Sequence, residues 1–444
     1  MTVTTIKTKA EQQLAAQFEA AAPMLPGAGW VAAARRAAMG RFVALGLPHR
    51  KLEAWKYTDL RVRLAQALPP AAAKPATLDA KLLATVLGPG LAKLPAAKLV
   101  FVDGVFNAEA SGPTPELNDS WSFVALADAL ADPEFAWMAA SFANLPEAPD
   151  DALLSLNSAF ATDGVVLRVF DGAAPAHPIH LVFVSTTASA STSTRNLIRI
   201  GTDAVATILE SHVAIDGAAR QTNAVTQVHL LAGATLHHLK LTAEGAGATH
   251  LGATLARLEA DTSYHSFQMT EGAATARHQV FVTFAGENAS FNFNATTLGR
   301  GKSHIDTTMV IDHAVPRCTS RENIRAVLAD EARGVFQGKV IVRPDAQKSD
   351  GKQMAKALLL SPDAEFDSKP ELEIYADDVV CGHGSTVAEM DEDHVFYLMA
   401  RGIPEVLARA MLTEAFAAEV IDAIRHDGIR DAMRARLVAW LAAG

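Results

Sequence analysis

Of 444 residues only two are cysteines, Cys318 and Cys381. Two thiols cannot build a disulfide framework, and so small a number suits a reducing compartment. They also fall short of the four thiolates that usually hold an iron–sulfur cluster, so any such cluster would need ligands from elsewhere. Basic runs with interleaved aromatics are missing, and 39 Lys and Arg against 49 Asp and Glu leave a formal charge of -10. That balance gives no electrostatic footprint for a phosphate backbone, so nucleic acid is not an expected partner. No apolar run approaches the roughly 18 to 20 residues needed to cross a bilayer. The opening "MTVTTIKTKAEQQ" lacks the apolar centre of a signal peptide. A cytoplasmic location without a membrane partner is the expectation. Catalytic loops are lacking too. "AEGAGATH" at 243–250 has no third glycine, and "GKS" at 301–303 lacks the upstream glycine of a phosphate-binding loop and lies between strands. No Gly-x-Ser-x-Gly supports serine hydrolysis.

What is present divides by periodicity. The length is about three times that of a usual domain. Residues 1–95 read as helical: in "WVAAARRAAMGRFVALG", Trp30, Ala34, Ala38, Phe42 and Leu45 form one apolar stripe that Gly46 and Pro48 terminate. "LPPAAAKPA" at 68–76 reads as an exposed connection. Residues 96–388 read as a strand-rich core with a helical insertion at about 124–157. Its strands are "GVVLRVF", "PIHLVFVS", "NLIRIG", "AVATILESHV", "AVTQVHLLAG", "ATLHHLKLTA", "HQVFVTFAG", "ASFNFNATTLG", "HIDTTMVID", "RGVFQGKVIV" and "ELEIYADDVV". More than two hundred residues without crossover helices exclude a doubly wound parallel sheet. Two sandwiches, a propeller or a β-solenoid remain, and the lack of a blade signature counts against the propeller. Residues 389–444 return to helix, with Ile429, Met433, Leu437, Trp440 and Leu441 on one face. That stripe could pack internally or dock a partner.

Chemistry-bearing residues are few. Cys381 and His383 lie two apart, so in a strand they share a face, with Cα atoms roughly 6.5 to 7 Å apart. A thiolate and an imidazole favour iron, zinc or copper over magnesium, although a free cysteine is often just a small buried hydrophobe. His304, His313 and Cys318, with Arg317 and Arg321, match no zinc spacing and read as solvated or hydrogen-bonded. His237 and His238 are strand neighbours facing opposite sides, so they cannot share a site. The carboxylates Asp377-Asp378 and Asp391-Glu392-Asp393 read as solvated caps.

Four stretches carry a resemblance in the same order along nearly the whole chain. They are "EAWKYTDL" at 53–60, "LNSAFATDGVVLRV" at 156–169, the long block from Arg333 to Val387, and "VFYLMARGI" at 395–403. Together the sequence resembles the SufB/SufD family of the SUF iron–sulfur cluster assembly machinery. Cys381-Gly-His383-Gly-Ser-Thr386 followed by Phe396-Tyr397-Leu398 sides with the SufD branch, which reads Cys-Ser-His-Gly-Ala-Thr. The SufB branch ends His-Glu-Ala-Thr and usually carries a cysteine after the Phe-Tyr. Gly382 and Ser385 depart from the SufD pattern, both by small residues.

The resemblance implies a right-handed parallel β-helix between N-terminal and C-terminal helical regions. It implies a non-enzymatic scaffold that pairs with SufB through neighbouring β-helix ends and docks the ATPase SufC through 389–444. One SufB, one SufD-type chain and two SufC would form the complex, and nucleotide-driven SufC dimerisation would rearrange the SufB interface. His383 inherits a role, with a SufB cysteine, in assembling the nascent cluster, and Cys381 is the adjacent candidate metal ligand. No tightly bound cofactor is implied for the isolated chain. Iron or a nascent cluster would be transient cargo shared with SufB, the complex leaves room for a reduced flavin, and the isolated chain could form a homodimer. Two readings compete: a stand-alone β-helix polysaccharide lyase or hydrolase using the paired carboxylates, and a structural zinc protein using Cys381 and His383. The "KYTDL" and Gln347-Lys348-Ser349-Asp350 segments read as structural.

Overall fold

The computed structural model describes residues 7–27, 29–72, 77–138 and 151–443. Part of the 68–76 connection and the middle of the 124–157 insertion therefore lie outside the described residues. Within them, helices occupy Lys9–Ala21, Gly29–Leu45 and Ala80–Ala92, followed by strands from β1 (Ala97–Val102) to β19 (Val380–Glu389). From β4 (Val165–Val169) on, successive strands alternate between two sheets, and each pairs with the strand two positions on. One sheet runs from β19 back through β17 (Asp350–Leu359), β15 (Thr319–Leu328) and β5 (Ile179–Ser185) to β1 and β2 (Val105–Phe106). The other runs from β18 (Glu365–Ile374) through β16 (Arg333–Val342) and β14 (His304–His313) to β4 and β3 (Trp121–Ala125). Pairing is parallel throughout except where β2 meets β1 and β3 meets β4. This is a parallel β-solenoid of about eight turns, with helical regions before and after it, as the resemblance implies.

The turns explain how a solenoid forms without a sequence repeat. Asp203, Gly233, Asp261, Asn288, Arg317 and Lys348 all adopt positive φ, between 55° and 74°. Five of them donate their N–H to a carbonyl of the next turn: Asp203 to Ala232, Gly233 to Ala260, Asp261 to Glu287, Arg317 to Gln347 and Lys348 to Asp378. The repeating element is thus a left-handed backbone corner about every thirty residues. Gly, Asn and Asp adopt it cheaply, whereas Arg and Lys do so only because the stacked corners on either side impose it.

Inward-facing side chains build a long interior core that includes Leu181, Ile208, Leu236, Tyr264, Phe291, Phe293, Val340 and Phe336. The alternation in "SFNFN" holds: Phe291 and Phe293 are buried inside, and Asn292 and Asn294 are only half-buried outside. A second core lies between the outer face of one sheet and the helices Ala80–Ala92, Glu405–Ile421 and Asp427–Ala442. Ile429, Met433 and Leu437 are buried there, with Trp440 and Leu441 packed alongside, so that stripe packs internally. The N-terminal helices form a third core with Ala152–Phe160 and reach Leu251 of the other sheet.

Several expectations need adjusting. Leu45 is exposed, and Val31, Arg35 and Met39 join Ala34, Ala38 and Phe42 on the buried face of the second helix. Gly46 does end it, at φ 73°. The insertion turns helical at Leu126, since Val124 still belongs to β3. "ELEIYADDVV" is not one strand: β18 (Glu365–Ile374) ends and β19 begins around a turn at 375–379. β10 (Ala248–Leu258), β11 (Ser263–Glu271), β15 (Thr319–Leu328), β17 (Asp350–Leu359) and β19 are strands that the sequence pattern did not single out. "DGKQMAKALL" of β17 is rich in helix formers, yet pairing with β15 and β19 on both edges overrides that propensity.

Candidate functional site

The Cys-x-His pair lies in the last strand of the solenoid, not in a turn. In β19, Cys381 aligns with Gly351 and His383 with Gln353 of β17. Gly351 and Gln353 are buried, and Cys381 packs against the interior core, so Cys381 and His383 share the inward face. His383 is nonetheless exposed. The reason is positional: β19 and β18 are the terminal strands of their sheets, so no further turn covers the inward row.

Cys381 is half-buried, and burial raises its thiol above the usual range. The backbone N–H of Gly351 and the Arg321 charge work against that rise, while the charges of Asp350 and Glu322 add to it. The resting group is a neutral thiol that loses its proton on binding a metal. Among the described residues no group of three or more His, Cys, Asp or Glu side chains is arranged to hold a metal ion. One imidazole and one thiol on the inward face of the open end are two potential donors, short of the four that a closed structural metal site uses.

The other candidates resolve into structural roles. His304 is buried, its Nε2 2.8 Å from the Thr58 hydroxyl, and that hydroxyl also donates to Asp306. His313 is buried with Nε2 3.1 Å from Ser320 Oγ, and Cys318 is buried with its thiol pushed up to about 11 by desolvation. The hydrogen-bonded half of the expectation for this set stands, and the solvated half does not. His237 and His238 do face opposite ways. His237 stacks on His265 outside, with centroids 4.9 Å apart, and His238 bonds Tyr264 inside at 2.9 Å. Asp391 caps the helix Glu392–Met399 by accepting from the Asp393 N–H.

Sequence reading missed a buried polar network inside the early turns. Glu210 accepts from Lys240 at 2.9 Å and Thr226 at 2.8 Å and lies 2.6 Å from His212 Nε2; Glu244 lies 2.6 Å from His250 and accepts from Thr222 at 2.7 Å. Burial alone would raise Glu210, but Lys240 and the flanking histidines hold it well below the usual carboxylate range. Charged residues at inward strand positions are the signal, visible only once the inward face of each strand is known. Phe293, in the same row as His238 and Glu322, separates this network from the open end.

"EAWKYTDL" forms a clamp onto the solenoid. The Arg277 guanidinium lies 3.7 Å from the Trp55 ring centroid, donates to the Ala54 carbonyl at 2.7 Å and pairs with Asp306, both charged groups being fully buried.

Comparison with known protein families gives two matches that between them span most of the chain. The model "SUF system FeS cluster assembly, SufBD core domain" matches residues 183–416, and "SufBD protein N-terminal region" matches 8–181. The iron–sulfur cluster assembly protein SufD of Escherichia coli is 31% identical over 410 residues, 90% of each chain. An iron–sulfur cluster assembly SufBD family protein of Synechocystis is 28% identical over 416 residues, 90% of this chain and 89% of that one.

Proposed function

Because this chain belongs to the SufB/SufD family and is of the SufD type, we propose that it is a non-catalytic scaffold subunit of a SUF assembly complex. Its role in iron–sulfur cluster assembly follows from the family. In the finer reading, it pairs with SufB through the last turn of its solenoid, docks SufC through its C-terminal helices, and uses His383, with Cys381 beside it, to hold iron or the nascent cluster at the SufB junction.

One observation carries this reading: the only Cys-x-His pair sits on the inward face of an uncovered terminal turn. β18 and β19 leave their outer edges unpaired, and Tyr375 and Val380 beside them are 61% and 60% exposed. An exposed, partly apolar strand edge is a template for another chain's strands. A second β-helix end placed there would add ligands opposite His383. The SufC reading rests on a different surface. Phe396, Tyr397 and Met399 of the helix Glu392–Met399 and Val406, Leu407 and Met411 of the next are exposed, an apolar concentration that suits a protein partner.

The deciding experiment is anaerobic co-expression with SufB and SufC, comparing wild type with His383→Ala. The variant assembles to the same size on gel filtration but carries less iron and sulfide. Unchanged content would remove His383 as a ligand, and turnover of a polysaccharide by the isolated chain would instead support the hydrolase reading.

A further inference from the structure

Behind the rim, the inward row that contains His383 continues as Gln353 on β17 and Glu322 on β15. Adjacent strands lie about 4.8 Å apart, which places Glu322 roughly 10 Å inside the end of the solenoid. Glu322 is 1% exposed and Gln353 2%. Both carboxylate oxygens and both amide atoms lack a hydrogen-bond partner, with the Ser320 hydroxyl near Glu322 but outside hydrogen-bond geometry. Four buried polar atoms without a protein partner in one row are costly, and such groups call for something to bind.

Two glycines make room for the side chains packed around this row. A Cβ on Gly338, on the facing sheet, would lie 2.8 Å from Gln353 Oε1 and 2.6 Å from the Phe336 ring. A Cβ on Gly351 would lie 3.3 Å from Val340 Cγ1, 3.5 Å from Ser320 Oγ and 3.7 Å from Cys381 Sγ. Neither glycine has a positive φ, so their smallness serves space and not backbone conformation. Arg321, the nearest cation, turns outward to Asp350.

We propose that Glu322 and Gln353, with the Ser320 hydroxyl, form an inner oxygen-donor site for a divalent cation, from which ferrous iron passes outward to His383 and Cys381. The proposal rests on the reading of His383 and Cys381 as iron ligands. Carboxylate, amide and hydroxyl oxygens suit a hard or borderline dication, and imidazole and thiolate at the rim suit it increasingly as sulfide softens the iron. The row therefore grades from oxygen donors inside to nitrogen and sulfur donors at the junction.

The test uses the purified full-length chain without partners, titrated anaerobically with Co2+ as a spectroscopic probe and with Fe2+ by equilibrium dialysis. Wild type binds the probe, and Glu322→Gln, which keeps shape and removes the charge, weakens binding about ten-fold or more. Gln353→Leu gives an independent reading should Glu322→Gln fold poorly, as judged by circular dichroism. His383→Ala retains inner binding and changes only the part of the spectrum due to rim ligands. No probe binding by wild type, or equal affinity in wild type and both inner variants, overturns the inner site. Loss of the rim reading would appear separately, as unchanged cluster content of His383→Ala in the complex.

Discussion

Removing the Asp306 carboxylate while leaving Arg277 in place should release the N-terminal segment from the solenoid. Asp306 and Arg277 are both fully buried, and Asp306 also accepts from Thr58 and, at 2.9 Å, from Thr308. In Asp306→Ala the guanidinium stays charged and dry, keeping only the Ala54 carbonyl and the Trp55 ring face. Stranding one member of such a pair costs about 3–5 kcal/mol, while the two hydroxyls lose one acceptor each but keep a partner, Thr58 at His304 Nε2 and Thr308 at the Gln337 amide. The double variant Arg277→Met with Asp306→Leu removes both charges and should recover most of that loss, giving a coupling energy above about 2 kcal/mol. Urea denaturation followed by tryptophan fluorescence reads the effect, because the Arg277 cation lies against the Trp55 ring. Trypsin sensitivity at Arg50, Lys51 and Arg61 separates local undocking from global unfolding. If the double variant is as unstable as Asp306→Ala, the charge pair is not what fastens this segment.

Two further outcomes follow from the buried groups and the exposed helices. Burial lowers His180 and His304 to about 3 and His212 and His313 to about 4, so between pH 6.5 and 4 the unfolded chain binds protons that the folded chain refuses, and stability falls on acidification. Glu322 has the opposite sign: burial lifts it to about 8, so the folded chain holds a proton that the unfolded chain releases, and stability falls as pH rises from about 4.5 to 8. Four histidines outweigh one acid below pH 6.5, so the urea midpoint should peak near pH 6.5, with Glu322→Gln flattening the alkaline side; a midpoint independent of pH from 5 to 8 would contradict both signs. On the C-terminal helices, Val406→Glu places a charge in the exposed apolar face at a residue 84% exposed. It should cut co-purification of SufC at least several-fold with an unchanged melting curve, and equal SufC recovery would move the docking surface elsewhere.

A strand-rich core was legible because many of its strands carry an apolar run or an alternation and no helix interrupts them between 165 and 389, whereas the family resemblance chose the solenoid over two sandwiches. The stacking of turns was not legible, because the recurring feature is a backbone angle that Asp, Gly, Asn, Arg and Lys all adopt at equivalent corners. Strands such as "TSRENIRAVL" were hidden by inward polar residues, Glu322 among them, which alternation scores as outward. Cys381 and His383 were visible as a pair two residues apart, and the family block around them singled them out. Glu322 and Gln353 were invisible, since their alignment with His383 spans 61 residues of chain and exists only through strand register.

The two ends of the solenoid differ in a way that bears on the proposed pairing with a partner. At the first end, β2 and β3 run antiparallel and close the sheets, as a terminal repeat must when it meets solvent. At the last end, β18 and β19 continue the parallel register and stop, with Val380 and Val387 exposed. Stacked turns gain stability from each neighbour, so the uncapped turn gains from whatever chain covers it. A metal held between His383 and a partner's ligands would then bind the paired state better than the separated one, and by linkage the loaded metal would tighten the pairing by the same factor. Opening the junction would release cargo without any group on this chain having to change its chemistry. That coupling requires the ligand set to be divided between the subunits, and a complete site within one chain would forfeit it.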